Sequence, residues 1–357
     1  MIKENYNVIG VMSGTSLDGV DLAYIEFTII GKIWHFNIKE TQTVPYNFEW
    51  VTLLKNAISF SKTDLELLDQ TYTQLLASII KNFINSNKLS KIDAVCSHGH
   101  TVLHQPHKGI TLQIGNQKEI AHLIGQDVVC DFRIDDVKLG GQGAPLVPIG
   151  DKILFLQYDY CMNLGGFSNI SYSHNNVQVA YDISAVNTIL NHYANQLGLS
   201  YDDKGGIAKR AIVNDELLTE LNNLEYYKKN YPKSLGFEFV KEIALPLIEK
   251  YNITTEDKIA TFTKHIAIQI ANALPNKEGS MLITGGGAYN TFLIEEIKRL
   301  VPQLKIVIPD SKTIEFKEAL IFGLLGVLKL RDEINVLKSV TGASMDHSSG
   351  KIHKKII

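Results

Sequence analysis

Asp182 follows the apolar run 177–181 and precedes a helix-forming stretch from about Ser184 to Leu197. A carboxylate at the end of a strand can take a proton from a hydroxyl or a water held beside it, as a general base in phosphoryl transfer must. The same position suits an N-cap for the following helix, so the local sequence leaves both roles open. A second group, Asp131-Phe132-Arg133-Ile134-Asp135-Asp136, follows a strand over 127–130 and leads into Gly140-Gly141-Gln142-Gly143-Ala144-Pro145. Arg133 can hold a carboxylate through parallel N–H donors while neighbouring Asp and Gln142 bind sugar hydroxyls. An ordinary Arg–Asp surface pair beside a turn fits the same residues. His98, His100 and His104 lie close together, but Gly99 breaks the helical spacing that would present them to one ion, so a zinc site is not expected.

The elements that must position these residues are punctuated by glycine. The apolar strand Val8–Met12 breaks into Ser13-Gly14-Thr15-Ser16-Leu17-Asp18-Gly19 before a second apolar strand, Leu22–Ile30. Such a turn can aim several backbone N–H groups at one anion, with Thr15 and Ser16 adding hydroxyl donors; alone, it reads equally as a hairpin whose glycines serve only its geometry. The run from Cys161 to Tyr172 repeats the pattern around Gly165 and Gly166, about 150 residues later. A third element joins the strand Met281–Ile283 to Gly285-Gly286-Gly287 and an amphipathic helix from Thr291, where glycines let the backbone pass close to a base or ribose. Two hairpins and a strand-GGG-helix unit are what a duplicated α/β fold needs to grip a nucleotide between two lobes. Helices are expected over 64–85, behind a Thr63-x-x-Glu66 capping box, and over 256–274, behind Thr254-x-x-Asp257. A short strand, Ala94–Cys96, is expected to deliver Ser97 to Thr101 into a loop.

The 357 residues, 45% of them hydrophobic and carrying a net charge of −3, suffice for two substantial cores. Basic residues are scattered, leaving no electrostatic footprint for nucleic acid or an anionic membrane. The N-terminus lacks the apolar core of a signal peptide and the run Ala319–Leu328 is too short to span a bilayer, so a cytoplasmic location is expected. Cys96, Cys130 and Cys161 sit in strand-like runs with no metal-ligand spacing and are expected as buried thiols.

The ordered motifs Ser13 to Asp21, His98-Gly99-His100-Thr101, Asp131-Phe132-Arg133, Gly140 to Pro148, Gly165 to Asn169, Asp182, Lys233-Ser234, Gly285 to Ala288, Glu318-Ala319 and Ser339 to Ala343 span nearly the whole chain. Together they resemble the bacterial anhydro-N-acetylmuramic acid kinases. That resemblance implies the two-lobed, actin-like (ribonuclease H-like) ATPase fold, with a duplicated core and an interlobe nucleotide cleft. One lobe is expected over 1–129 plus 335–357 and the other over 130–334. It implies ATP and Mg2+ as requirements, an anhydro amino sugar as substrate, and a homodimer. The implied reaction opens the 1,6-anhydro ring hydrolytically and phosphorylates O6, giving N-acetylmuramic acid 6-phosphate for peptidoglycan recycling.

The resemblance also implies residue roles. Asp182 matches the base and Glu318 an acidic position near the reacting sugar. His98, Thr101, Arg133 and Gln142 would contact the sugar. Ser13 to Gly19, with Gly165 and Gly166, would cradle the phosphates, and Gly285 to Gly287 would face the adenosine. Asp18 or Asp182, or the nearby Asp21, would reach magnesium through water. Two stretches depart from the commoner family pattern: Thr-Gly-Pro-Gly-Asn after the base is here Ile183-Ser184-Ala185-Val186-Asn187, and the usual Gln after His98-Gly99 is His100. An ordinary sugar kinase without ring opening, and a non-catalytic ATP or sugar sensor, remain the alternatives.

Overall fold

The apolar alternation at the N-terminus produces a long antiparallel pair, β1 (Asn5–Ser13) and β2 (Gly19–Ile30), in register from Asn5 opposite Thr28 to Met12 opposite Asp21. This computed structural model describes residues 3–14 and 17–355. Its further strands are β3 (Ile33–Pro45), β4 (Ala94–Gln105), β5 (Ile110–Ile114), β6 (Val128–Cys130), β7 (Tyr160–Leu164), β8 (Phe167–His174), β9 (Val177–Ala185), β10 (Gly279–Thr284), β11 (Leu304–Val307) and β12 (Lys351–His353).

Two compact units result, Met1–Leu154 with Phe316–Ile357, and Phe155–Glu315. In the first, the strand order is β12-β6-β4-β1-β2-β3, with β5 paired to β4. In the second it is β11-β10-β7-β8-β9. β1 is antiparallel to β2 and parallel to β4, which is parallel to β6; β7 is antiparallel to β8 and parallel to β10, which is parallel to β11. The two sheets therefore repeat one order and one set of directions, β3-β2-β1-β4-β6 against β9-β8-β7-β10-β11. This is the duplicated ribonuclease H-like core of the actin-like ATPases.

The unit boundaries differ from the expected divisions at 129/130 and 334/335. The segment after β6 stays with the first unit because its anchors lie there: Thr341 donates to Asp136, and Gly150 leaves room only for Ile321. The helix Ser311–Leu330, kinked at Phe316, supplies that unit with Leu320 to Leu328 as core. A β-carbon on Gly10 would land on the Ala319 carbonyl, so glycine in β1 is what lets this helix lie against the strand. The longest apolar run of the sequence is thus a core helix, and no helix among the described residues is long and apolar enough to cross a membrane.

On the other face of the first sheet, Leu65, Leu68, Tyr72, Leu76, Ile80 and Phe83 of the helix Lys62–Ser86 pack with Ile9, Val11, Leu22 and Val95. That helix starts earlier than the expected box. Ser61, not Thr63, is its N-cap, accepting from the Asp64 N–H and donating to the Asp64 carboxylate. The cap at Thr254 holds as expected, receiving the Asp257 N–H, and the helix Thr255–Ala273 fills the second unit's core with Ile259, Phe262, Ile266 and Ile270. Cys96, Cys130 and Cys161 are buried and form no disulfide, the first two pushed upward in pKa by burial.

Candidate active site

β9 carries Asp182 beside a bulge. Asn169 pairs with Asp182 and Ser168 with Ser184, leaving Ile183 as the extra residue. Ser168 Oγ donates to the Ser184 carbonyl and accepts the Ser184 N–H, both at 3.1 Å, which keeps the chain extended. The strand therefore continues through Ala185 and the helix begins at Asn187, not at Ser184. Asp182 is not its cap: Val186 holds that position without a side-chain bond, and the N–H groups of Val186, Asn187 and Thr188 donate to the Gly165 and Gly166 carbonyls.

Three hydrogen bonds hold Asp182 instead. Its Oδ2 accepts from the Leu235 N–H at 2.9 Å, its own N–H donates to the Lys233 carbonyl at 3.3 Å, and its carbonyl accepts from the Tyr226 hydroxyl at 2.6 Å. Among the described residues no donor reaches Oδ1. Burial raises the pKa of the carboxyl above the ordinary aspartate value, and the Leu235 N–H partly opposes it. A carboxylate held by one oxygen, open at the other and made more basic by burial has the attributes of a general base.

The second hairpin and the triple glycine meet at the end of β7. A β-carbon on Gly285, where φ is +81°, would lie 2.5 Å from Asn163 Oδ1 and 2.8 Å from the Leu164 carbonyl. One on Gly287 would lie 2.7 Å from the Leu164 side chain. These two glycines thus serve a close backbone approach to Leu164. Gly286 is the exposed member, with Asn187 Nδ2 at 3.7 Å as the nearest neighbour of its missing side chain. Asn187 Nδ2 in turn donates to the Leu164 carbonyl at 3.3 Å, so the Gly165–Gly166 turn, the start of the Asn187 helix and Gly286 form one locality.

In the first unit, His98 to Thr101 lie inside β4 rather than in a loop. Val11 pairs with Ser97 but Ser13 with His100, and the extra residue is accommodated by Gly99 at φ +73°, where a β-carbon would lie 2.5 Å from the Ile114 carbonyl. His98 Nδ1 lies 2.9 Å from the Gly99 carbonyl and so carries the proton; Nε2 is then the acceptor for Arg133 Nε, also at 2.9 Å. Burial and the Arg133 charge hold His98 neutral, far below the usual histidine range.

Arg133 spends a further donor, Nη1, on the Gly143 carbonyl at 2.6 Å. It makes no pair with its sequence neighbours: Asp131 meets Lys351 at 2.8 Å and Asp135 meets Lys138 at 3.4 Å. Burial lowers the guanidinium's pKa to about 10, while Glu318 and Asp136 oppose that shift. Glu318 keeps solvent contact but stands amid enough protein that desolvation raises its pKa, with Arg133 opposing and Asp21 adding to the rise. Arg133, Glu318, His98 and Asp21 thus form one electrostatic cluster. Thr101 instead accepts from Gln113 Nε2 at 3.2 Å, and the Gln142 residue is exposed while its N–H donates to the Thr341 carbonyl at 2.8 Å.

The first hairpin is only partly described, since Thr15 and Ser16 lie outside the described residues. Ser13 Oγ is buried, 2.7 Å from the Tyr46 hydroxyl and 2.9 Å from His100 Nδ1, so this hydroxyl serves an interior network. Burial lowers His100 to about 4, keeping it neutral. Gly14 accepts the Leu17 N–H at 3.3 Å, Leu17 has φ +62°, Asp18 is exposed, and Gly19 already belongs to β2. Asp21 accepts from Thr43 at 2.6 Å. Among the described residues no three His, Cys, Asp or Glu side chains are gathered to hold a metal ion.

Several supports have contacts that the local sequence does not reveal. Asp136, fully buried, accepts the Thr341 hydroxyl at 2.7 Å and the Gly143 N–H at 2.6 Å, fixing the loop that holds Arg133. Tyr226 and Leu235 hold Asp182 from 44 and 53 residues away. Lys233 is marked by motif alone. Comparison with known proteins covers all of these positions. A profile of anhydro-N-acetylmuramic acid kinases matches residues 6–355. The protein of that name from Pasteurella multocida is 34% identical, over 97% of this chain and 96% of its own length. The one from Vibrio parahaemolyticus is 32% identical, over 99% of this chain and all of its own. The one from Francisella tularensis is 32% identical over 97% and 98%. With the glycine turns, the half-buried arginine and the strapped aspartate in their expected order along that full-length match, the chain belongs to the anhydro-N-acetylmuramic acid kinase family.

Proposed function

We propose that this protein uses ATP to open 1,6-anhydro-N-acetylmuramic acid and to phosphorylate O6, giving N-acetylmuramic acid 6-phosphate and ADP. The observation that carries the reading is Asp182: one oxygen held by Leu235, the other open, and a proton affinity raised by burial. Asp182 Oδ1 takes a proton from a water as the water oxygen bonds to C1. The C1–O6 bond breaks, its electron pair remains on O6, and O6 bonds to the γ-phosphorus as the bond from that phosphorus to the β–γ bridging oxygen breaks. The proton on Asp182 passes to solvent. Joining hydrolysis to capture of O6 in one site supplies the proximity that a free alcohol would lack.

Arg133, fixed by His98 and Gly143, binds the sugar's lactyl carboxylate or an adjacent oxygen, with Thr101, Gln142 and His98 beside it. Glu318 lies by the reacting end of the sugar. The backbone from Ser13 to Gly19, with Gly165 and Gly166, receives phosphate, and Gly286 is the member of the triple glycine best suited to face adenosine. Magnesium would come with the nucleotide and supply charge neutralisation at the phosphates. Asp18 or Asp182 would touch it only through water. The setting is the cytoplasm and the working form a homodimer, a state that light scattering on the purified chain tests directly.

An ATP-to-ADP assay with 1,6-anhydro-N-acetylmuramic acid, run beside open N-acetylmuramic acid and glucose, tests the reaction. A product heavier than the anhydro sugar by one water and one phosphoryl group supports it. Turnover of open sugars alone points to an ordinary kinase, and turnover of none to a sensor.

A further inference from the structure

Lys233 is a cation without a counter-ion. Its side chain is half-buried, its ammonium lies 4.9 Å from the Tyr226 ring centre and 5.8 Å from that of Tyr181, and among the described residues no carboxylate pairs with it. The rings are fixed in their turn. Tyr226 donates to the Asp182 carbonyl at 2.6 Å, Tyr181 donates to the Ala273 carbonyl at 2.8 Å, and Tyr231 stacks on Tyr181 with centres 5.6 Å apart and planes 9° from parallel. Cation–π contact offsets part of the cost of desolvating an ammonium but satisfies none of its three N–H donors. Burial lowers its pKa, the direction expected when no acid partner compensates.

The position ties the backbone beside this ammonium to the candidate base. The Lys233 carbonyl accepts the Asp182 N–H, and two residues on, the Leu235 N–H holds Asp182 Oδ2. The strap that orients the carboxylate thus carries an unpaired positive charge on the same short segment. Arg133, the other cation assigned to substrate, already has donors committed to His98 and Gly143.

The geometry points to Lys233 as a binding residue for an anionic oxygen of the substrate beside Asp182. This rests on the proposed function, in which two such oxygens come to the base: the carboxylate of the sugar and the phosphoryl group in transfer. A half-buried lysine packed on rings with no ligand would account for the ring contacts but not for an ammonium without a carboxylate partner on the segment that holds Asp182.

The test compares Lys233→Met, which keeps an unbranched chain over the rings, and Lys233→Arg, which restores the charge, with the unaltered protein. Steady-state constants are measured for ATP, for 1,6-anhydro-N-acetylmuramic acid and for its neutral counterpart 1,6-anhydro-N-acetylglucosamine. A rise of tenfold or more in KM for the acid alone, recovered in Lys233→Arg, places the ammonium on the sugar carboxylate. A fall of a hundredfold or more in kcat with both sugars places it on the phosphoryl group. Constants within twofold of the unaltered protein, with matching melting temperatures, overturn the inference. If the unaltered protein turns over neither sugar, the proposed reaction fails separately. Calorimetric titration of the acid sugar and of ADP into both proteins then decides: weaker binding of either ligand to Lys233→Met sustains the role of Lys233, and equal binding of both overturns it.

Discussion

Replacing Asp182 by asparagine isolates the proposed base from everything that holds it. The new amide oxygen can still accept the Leu235 N–H, and the backbone bonds to Lys233 and Tyr226 do not involve the side chain. What disappears is the open, proton-accepting Oδ1. General-base contributions are about 10²–10⁴-fold, or roughly 3–5 kcal/mol of barrier, so kcat should fall by that factor with KM for ATP unchanged. Stability should move the other way. Burial raises the folded-state pKa above its ordinary 3.8, so between that value and the raised one the native chain binds more protons than the unfolded chain. Stability therefore falls as pH rises through that window, and the ionised carboxylate at neutral pH carries a penalty of about 1.4 kcal/mol for each unit of elevation. The neutral amide of Asp182→Asn has no such penalty. The variant should melt at or above the temperature of the unaltered protein at pH 7, and the difference should vanish below pH 3.8. In the unaltered protein the acid limb of kcat/KM should lie above the ordinary aspartate value, since the base is lost by protonation at a higher pH. Coupled measurement of ADP release and calorimetric melting checks all of this. Activity within tenfold of the unaltered protein refutes the base assignment, and a lower melting temperature at neutral pH refutes the description of its burial.

Arg133→Lys should raise KM for the acid sugar about 10- to 100-fold in a steady-state assay, because an ammonium cannot reproduce the fork that meets His98, Gly143 and a ligand together. Asp136→Ala leaves the Gly143 N–H without its acceptor and the Thr341 hydroxyl with only the Leu337 carbonyl at 3.4 Å. With one group stranded it should destabilise the protein by about 1–3 kcal/mol in urea denaturation, more than Thr341→Val does. Ser61→Ala should cost about 1 kcal/mol by the same measurement, while Thr63→Ala should stay within about 0.5 kcal/mol, since only Ser61 caps the helix.

What can be read from the sequence follows how far apart in the chain the determining contacts lie. The paired strands of the two hairpins and the helix behind Thr254 come from local periodicity and turn residues, and each emerges where those patterns predict, whereas the order of strands depends on parallel pairings between distant segments. The start of the helix behind Ser61 is ambiguous in sequence because Ser61 and Thr63 both offer a capping hydroxyl, and only the packed face beginning at Leu65 decides between them. Asp182 is visible as a carboxylate at a strand end, but whether it caps a helix or faces a reactant is undecided locally. The decision comes from Ser168, which keeps β9 extended past Asp182, and from Leu235 and Tyr226, which grip the aspartate through the tertiary fold. Arg133 repeats the pattern. Its neighbours Asp131 and Asp135 make a surface pair plausible, yet the chain brings Lys351 to Asp131 and His98 to Arg133, so the guanidinium is released from local pairing.

The unit boundary obeys the same rule at greater range. Asp136 and Thr341 are 205 residues apart, and their hydrogen bond helps keep residues 130–154 with the first sheet. Asp136 is fully buried, so each donor withdrawn from it weakens this attachment. The loop that positions Arg133 therefore depends on the chain from Thr341 onward being in place, and a truncation before Thr341 should loosen the arginine as surely as a change at Asp136.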